Sequence, residues 1–214
     1  MLTNREIAPE RYQVGNSPAV SLRPIAIELP FGEPSCTPRR PTKAHALMTA
    51  PEIRLLVPGS DNAAVRDLYD RAADFVMLES GTEPSDAMVE QFFTDGPPGV
   101  DFATSQKLGM FRPSGQLVAI ADLAFGYPEA DDAYVGLLLL DESCRGMGLG
   151  RTFLDHLTGI ARAGNARRLL IAVLDENARG RAFWEREGFR LLQSFPDFKI
   201  GPKTHVAHRM WRSL

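Results

Sequence analysis

The chain has 214 residues, 44% of them hydrophobic and 24% charged, with a formal net charge of −3. Those proportions are those of a globular protein of one ordinary domain with an extension. No run of about eighteen apolar residues exists, and Cys36 and Cys144 are the only cysteines, which excludes a membrane-spanning helix, a disulfide scaffold and a multi-cysteine zinc site.

The charge is unevenly spread. Residues 49–144 carry 5 Lys/Arg against 17 Asp/Glu, whereas residues 145–214 carry 13 against 6. A basic half suits an anionic ligand and an acidic half a cationic one, although two solvated faces would give the same counts. The opening residues lack the charged-then-apolar design of a secretion signal, so a cytoplasmic location is expected.

Residues 1–48 contain seven of the sixteen prolines and no sustained periodicity, and are expected to form a flexible, dispensable arm, with Met48 as an alternative start. Residues 49–214 are expected to form the folded domain. Glu52–Val57 reads as a strand stopped by Pro58-Gly59. Ser60 or Asp61 caps a helix to about Ala73 that turns Val65, Leu68 and Tyr69 inward. The segment from Asp74 to Pro84 is a loop or a second short helix. Pro84–Thr94 is a helix with Val89, Phe92 and Phe93 inward, ended by Gly96-Pro97-Pro98-Gly99.

From Gln106 the period becomes that of strands. KLGMFR and QLVAIADLAF flank Pro113-Ser114-Gly115 as a hairpin, and DAYVGLLLL is apolar on both faces toward its end, as a central strand is. A helix from Gly150 to about Arg162, a buried strand RRLLIAVL, a helix Asn177–Glu187 capped by Gly188, and strands FRLLQSF and THVAHRMWR complete the chain. The crossover from Leu140 through a helix to Leu169 requires parallel neighbours, while the hairpins are antiparallel. The fold class is therefore α/β, with a mixed, mostly antiparallel central sheet flanked by helices.

One stretch carries chemistry. Arg145-Gly146-Met147-Gly148-Leu149-Gly150-Arg151 follows a strand and opens a helix. Successive backbone N–H groups there, backed by the helix dipole and two arginines, suit a phosphate or pyrophosphate. It is neither a P-loop, since no Gly-Lys-Ser/Thr follows, nor the dinucleotide G-x-G-x-x-G.

A second motif follows about thirty residues later. Asn177-Ala178, then Phe183-Trp184-Glu185, then Gly188-Phe189 again come after a strand. With Arg145-x-x-Gly148-x-Gly150 in this element order, the sequence resembles the GNAT superfamily of acyl-CoA-dependent N-acyltransferases over about Glu52–Arg212. The resemblance implies that Arg145–Arg151 holds the CoA pyrophosphate, that the backbone of Leu138, Leu139 and Leu140 hydrogen-bonds the pantetheine amides, that Asn177 contacts the pantetheine arm, and that Phe183 and Trp184 pack near the sulfur. It also implies a departure: Trp184 stands where the family often has a tyrosine that protonates the leaving thiolate, and an indole N–H is no useful acid. The alternative for Phe183 and Trp184 is ordinary core packing at helical spacing, for one of the two.

An amine needs a base, because it is mostly protonated at neutral pH. Asp122, a carboxylate inside an apolar strand, is the candidate, with Tyr134 on the neighbouring strand to orient substrate or move a proton. Glu79 and Glu142 are loop alternatives. His205 and His208 lie three apart on a strand and make no metal pair; Cys144 lacks a partner histidine. The expected activity is transfer of the acetyl group of acetyl-CoA to a primary amine of a small molecule, without a metal, by direct transfer in a ternary complex. The alternatives are a catalytically silent acyl-CoA-binding module, motivated by Trp184, and a protein-modifying acetyltransferase. Neither nucleic acid nor membrane is an expected partner; a homodimer is left open.

Overall fold

A computed structural model of the chain describes residues 50–101 and 104–214. The arm assigned to residues 1–48 lies outside the described residues. The described elements are β1 (Glu52–Leu55), α1 (Asn62–Arg71), α2 (Ala73–Ser80), α3 (Asp86–Thr94), β2 (Gln106–Phe111), β3 (Leu117–Phe125), β4 (Asp132–Leu140), a 3-10 turn (Glu142–Cys144), α4 (Leu149–Ala163), β5 (Arg168–Leu174), α5 (Ala178–Arg186), β6 (Arg190–Ile200) and β7 (Lys203–Ser213). The strands form one sheet in the order β1-β2-β3-β4-β5-β7-β6. Only β4 and β5 pair in parallel; the other neighbours are antiparallel. This is the mixed, mostly antiparallel sheet that the sequence predicts.

The alternation of the strands divides two cores. Ala119, Ala121 and Leu123 of β3 and Ala133 and Val135 of β4 meet Phe153, Leu154 and Leu157 of α4 on one face. Ile120 of β3 and Leu137 and Leu139 of β4 meet Val65, Leu68 and Tyr69 of α1 and Phe92 of α3 on the other. Helix α4 owes its position to this stripe, since its apolar residues recur at helical spacing and burying them drives docking.

Two departures from regular pairing shape the site. Asp122 faces Leu137 but Leu123 faces Val135, so Gly136 is an extra residue, a bulge. Strand β4 also pairs with β5 only from Asp132 to Val135; from Gly136 onward the two strands separate. The backbone groups of Leu138–Leu140 on that side have no ladder partner from β5.

Three expectations shift in detail. The segment after Ala73 is helical, as α2, with Val76 buried and Gly81 closing it in the left-handed conformation. Strand β6 runs to Ile200, beyond Phe195, because Phe198 and Ile200 find an apolar cluster with Leu174 and Ala207. Asp61 occupies the N-cap position of α1 without capping; its carboxylate accepts from Val57 N at 2.7 Å and pairs with Arg54.

Three carboxylates tie elements together. The Arg54 hydrogen bond holds Asp61 below the usual carboxylate range, and the Arg145 hydrogen bond does the same for Asp74. For Asp141, burial pushes the carboxyl up, but hydrogen bonds from Ser143 and Arg71 outweigh it and leave the group lowered. Carboxylates depressed in the folded state contribute stability that is present above their unfolded value of about 4 and lost as pH falls through the folded values. Thermal melts should therefore hold steady from neutral pH down to about 4 and drop steeply below it; a flat profile to about pH 3 would show these pairs contribute nothing.

Candidate active site

Where β4 and β5 part, a cleft of about 430 Å³ opens. Leu138, Leu139 and Leu140 form one wall, Gly146, Gly148 and Gly150 the loop at one end, and Asn177, Phe183 and Trp184 of the α5 region the opposite wall. The loop and α5 residues come from the two motifs and Leu138–Leu140 from the strand before the first, and all of them line the same cleft.

The loop is built for close approach. Gly146 and Gly148 both have φ of +83°, where a side chain is strained, and both would leave open space around an added Cβ. It is their backbone, not a crowded neighbour, that requires glycine. Gly148 is also the N-cap of α4, so the free N–H groups of that helix begin here. Gly150 differs: its Cβ would meet Phe183 at an ordinary 3.5 Å.

Within Arg145–Arg151, Met147 and Leu149 do not line the cleft; Met147 is exposed and Leu149 packs partly into the α4 core. Arg145 borders the cleft, but its guanidinium is already engaged, donating to Asp74 at 2.8 Å and to Leu140 O at 3.2 Å. It staples α2 to the end of β4. Arg151 is largely exposed, with Glu187 3.9 Å away.

Asn177 precedes α5, and its carboxamide oxygen accepts from Gly180 N at 2.8 Å. A Cβ on Gly180 would lie 2.5 Å from Asn177 Nδ2, so this cap depends on glycine at 180. Asn177→Ala should lower stability by about 1 kcal/mol, measured by thermal melt; an unchanged melting temperature would deny the cap any role.

Phe183 is half-buried against the cleft, whereas Trp184 is a core residue that also touches it, with ring centroids 4.9 Å from Phe183 and 5.1 Å from Phe189. The core reading thus holds for Trp184.

Phe75, Arg179, Gly180, Arg186 and Glu187 also line the cleft and are absent from the sequence-based set. Arg179 and Arg181 had a signal. They sit in the first turn of a helix with no acidic residue there, the reverse of what the helix dipole favours. Arg181 is paired with Asp175 and Glu185, whereas Arg179 lines the cleft.

Asp122 and Tyr134 lie on the α1–α3 face of the sheet, Asp122 opposite Leu137 and Tyr134 opposite Ala124. Neither lines the cleft; Asp122 sits across from Leu137, one residue before the cleft-lining Leu138. Both are buried. Burial pushes the Asp122 carboxyl up, and Lys107, whose Nζ is 2.9 Å away, pulls it partly back. Burial likewise pushes the Tyr134 phenol far up, so it stays a neutral hydroxyl, with Arg209 near it.

The alternatives are placed elsewhere. Glu79 belongs to α2 and is buried; Glu142 is exposed in the 3-10 turn. His205 Nε2 bonds Glu79 O at 2.7 Å and its Nδ1 faces Glu176, while His208 lies between Ser194 and Asp175. Cys144 is buried under the loop, with Arg112 Nη2 2.9 Å from its sulfur. Among the described residues no helix is long and apolar enough to cross a membrane.

The sequence model of the acetyltransferase (GNAT) family matches residues 62–189, from α1 to the end of the second motif. A mycothiol acetyltransferase of Beutenbergia cavernae is 32% identical over 82 residues, which are 38% of this chain and 28% of that protein. This chain thus matches less than a third of that relative's length. An acetyltransferase from Thermus thermophilus superposes with a TM-score of 0.63 at 23% identity, over 78% of this chain and 99% of that one. A GCN5-related N-acetyltransferase from Kribbella flavida does so with 0.56 at 20% identity, over 77% and 98%. The two structural likenesses are likenesses of fold.

Proposed function

Because the chain belongs to the GNAT acetyltransferase family, whose members use an acyl-CoA donor, we propose that it moves the acetyl group of acetyl-CoA to a primary amine of a small molecule, directly, within one ternary complex. The observation that carries this reading is the cleft between β4 and β5, where unpaired strand backbone, a glycine loop at a helix N-terminus and the α5 wall converge.

In this reading the N–H groups around Gly146, Gly148 and Gly150 receive the pyrophosphate, with Arg151, Arg179 and Arg186 supplying positive charge around it. Arg145 acts chiefly by fixing the loop to α2 through Asp74. The backbone of Leu138–Leu140 aligns the pantetheine arm as an added strand would, Asn177 holds the opposite side, and Phe183 and Trp184 close the apolar wall. Met147 and Leu149 contribute backbone only.

The amine nitrogen attacks the thioester carbonyl carbon. The C–N bond forms, the C–S bond breaks, the amine proton passes to Asp122, and CoA leaves as the thiolate. Backbone N–H groups at the bulge stabilise the oxyanion, and Tyr134 orients the acceptor. Much of the acceleration is positioning, since both reactants are held together. The acidic balance of residues 49–144 favours a cationic acceptor.

The test is release of free thiol from acetyl-CoA with a panel of small primary amines, the acceptor of mycothiol acetyltransferases among them, beside peptides. Turnover with a small amine and tight acetyl-CoA binding is the expected outcome. Turnover with peptides alone would move the assignment to protein modification, and tight binding with no turnover on any acceptor would overturn it.

A further inference from the structure

Lys107 is a lysine where a lysine costs stability. It lies on β2, directly across from Asp122 in register, and is only 7% exposed. Its Nζ is 2.9 Å from Asp122 Oδ1, donates to the carbonyl of Asp95 at 2.7 Å, and sits 5.5 Å from the centre of the Phe92 ring. Three neighbours, one from β3 and two from the end of α3, thus fix one ammonium group. Taking both charges from water is rarely repaid by their attraction, and an apolar pair of similar volume would serve the core as well or better. A pair of this kind beside the strand bulge, across from Leu137 and one residue from the cleft wall at Leu138, therefore points to function.

The groups around the carboxylate support this. Tyr69 of α1 and Tyr134 of β4 face Asp122 with buried hydroxyls, Ser105 lies before β2 with a buried hydroxyl, and Asp95 follows α3 with a buried carboxylate oxygen. Lys107 is the cation among them that touches Asp122; Asp95 opposes it. With Lys107 neutral or removed, burial and Asp95 would both favour a protonated Asp122, which cannot accept a proton from the amine.

We propose that Lys107 is the positioning residue of the reaction: its ammonium group fixes the Asp122 carboxylate beside the bulge. This deepens the reading of Asp122 as the base and rests on it. Lys107 itself touches neither substrate.

The experiment is the pH dependence of kcat for the full chain and for Lys107→Met, with Lys107→Gln as a second charge-removing variant and Lys107→Arg as the conservative one. In the wild type kcat falls as pH drops through the Asp122 carboxyl. Removing the lysine should move that acidic limb upward by about one unit or more, lowering kcat about tenfold at neutral pH and restoring it at higher pH, with KM for acetyl-CoA unchanged. Lys107→Arg should return the limb toward its wild-type position. A uniform loss of kcat across pH, with the limb unmoved, would make the pair merely structural and overturn the proposal. Should both charge-removing variants fail to fold, carbon-13 titration of Asp122 in the wild type decides: a carboxyl ionised at neutral pH is expected, and a protonated one overturns it. Asp122→Asn separates the two readings. Full activity there removes Asp122 as base, whereas loss of activity with an unmoved limb in Lys107→Met removes only the role of Lys107.

Discussion

Asp122→Asn should lower kcat by about 10²–10⁴-fold, the span that a positioned general base supplies, while acetyl-CoA binding stays close to the wild type. The reason is spatial as well as chemical. Asp122 is on the α1–α3 face of the sheet, beside the bulge at Gly136, whereas the loop and α5 that line the cleft are beyond β4. A change at 122 is therefore expected to act on the proposed reacting end and to leave the proposed donor site intact. The variant also strands a buried ammonium, and removing one partner of such a pair costs about 3–5 kcal/mol. Acetyl-CoA titration must accompany the kinetics for that reason, because a folded, donor-binding variant with no turnover isolates the chemistry. The pH dependence has a definite sign. Burial raises the Asp122 carboxyl above its ordinary value, so with Asp122 as the proposed base, activity should be full above that raised value and decline as pH falls through it.

The second large effect is at the loop. Gly148→Val should weaken acetyl-CoA binding about 10- to 100-fold, measured by titration, with kcat at saturating donor little changed. At φ +83° a side chain costs about 1–2 kcal/mol of backbone strain. The relaxed loop would also turn away N–H groups whose charge-assisted hydrogen bonds are each worth about 1.5–3 kcal/mol. Gly150→Ala is the internal control. Its added Cβ meets Phe183 at contact distance, so the effect there should be several-fold smaller. Equal effects at the two positions would mean that the loop's backbone conformation is not what binds the donor.

How much of this was legible in the sequence divides along physical lines. The glycine loop, the apolar strand before it and the Asn177–Phe189 segment are local patterns, and the structure brings them to one cleft. Helix α2 was ambiguous because its buried side chains come from no clean helical stripe, and it forms by docking on the sheet. The fate of Arg145 was not legible at all, since its partner Asp74 is seventy-one positions away in sequence. Lys107 was hidden for the same reason. In isolation it is a polar residue at a strand's start, and only cross-strand register places it on Asp122. Arg179 was readable in principle, as a cation at the wrong end of a helix. Trp184 shows the converse limit: at helical spacing an aromatic of the core and one of a ligand wall look alike, and here one residue is both.

The central claim is that the donor lies between the splayed strands with its pyrophosphate on the glycine loop and its thioester at the bulge. A crystal structure with acetyl-CoA bound tests it most directly. Pyrophosphate oxygens are expected on the backbone N–H groups of residues 146–150, pantetheine amides paired with Leu138–Leu140, and the thioester carbonyl carbon beside residues 136–138, with Asp122 on the acceptor side. A donor whose pyrophosphate sits away from that loop, or whose thioester points away from Asp122, would contradict it.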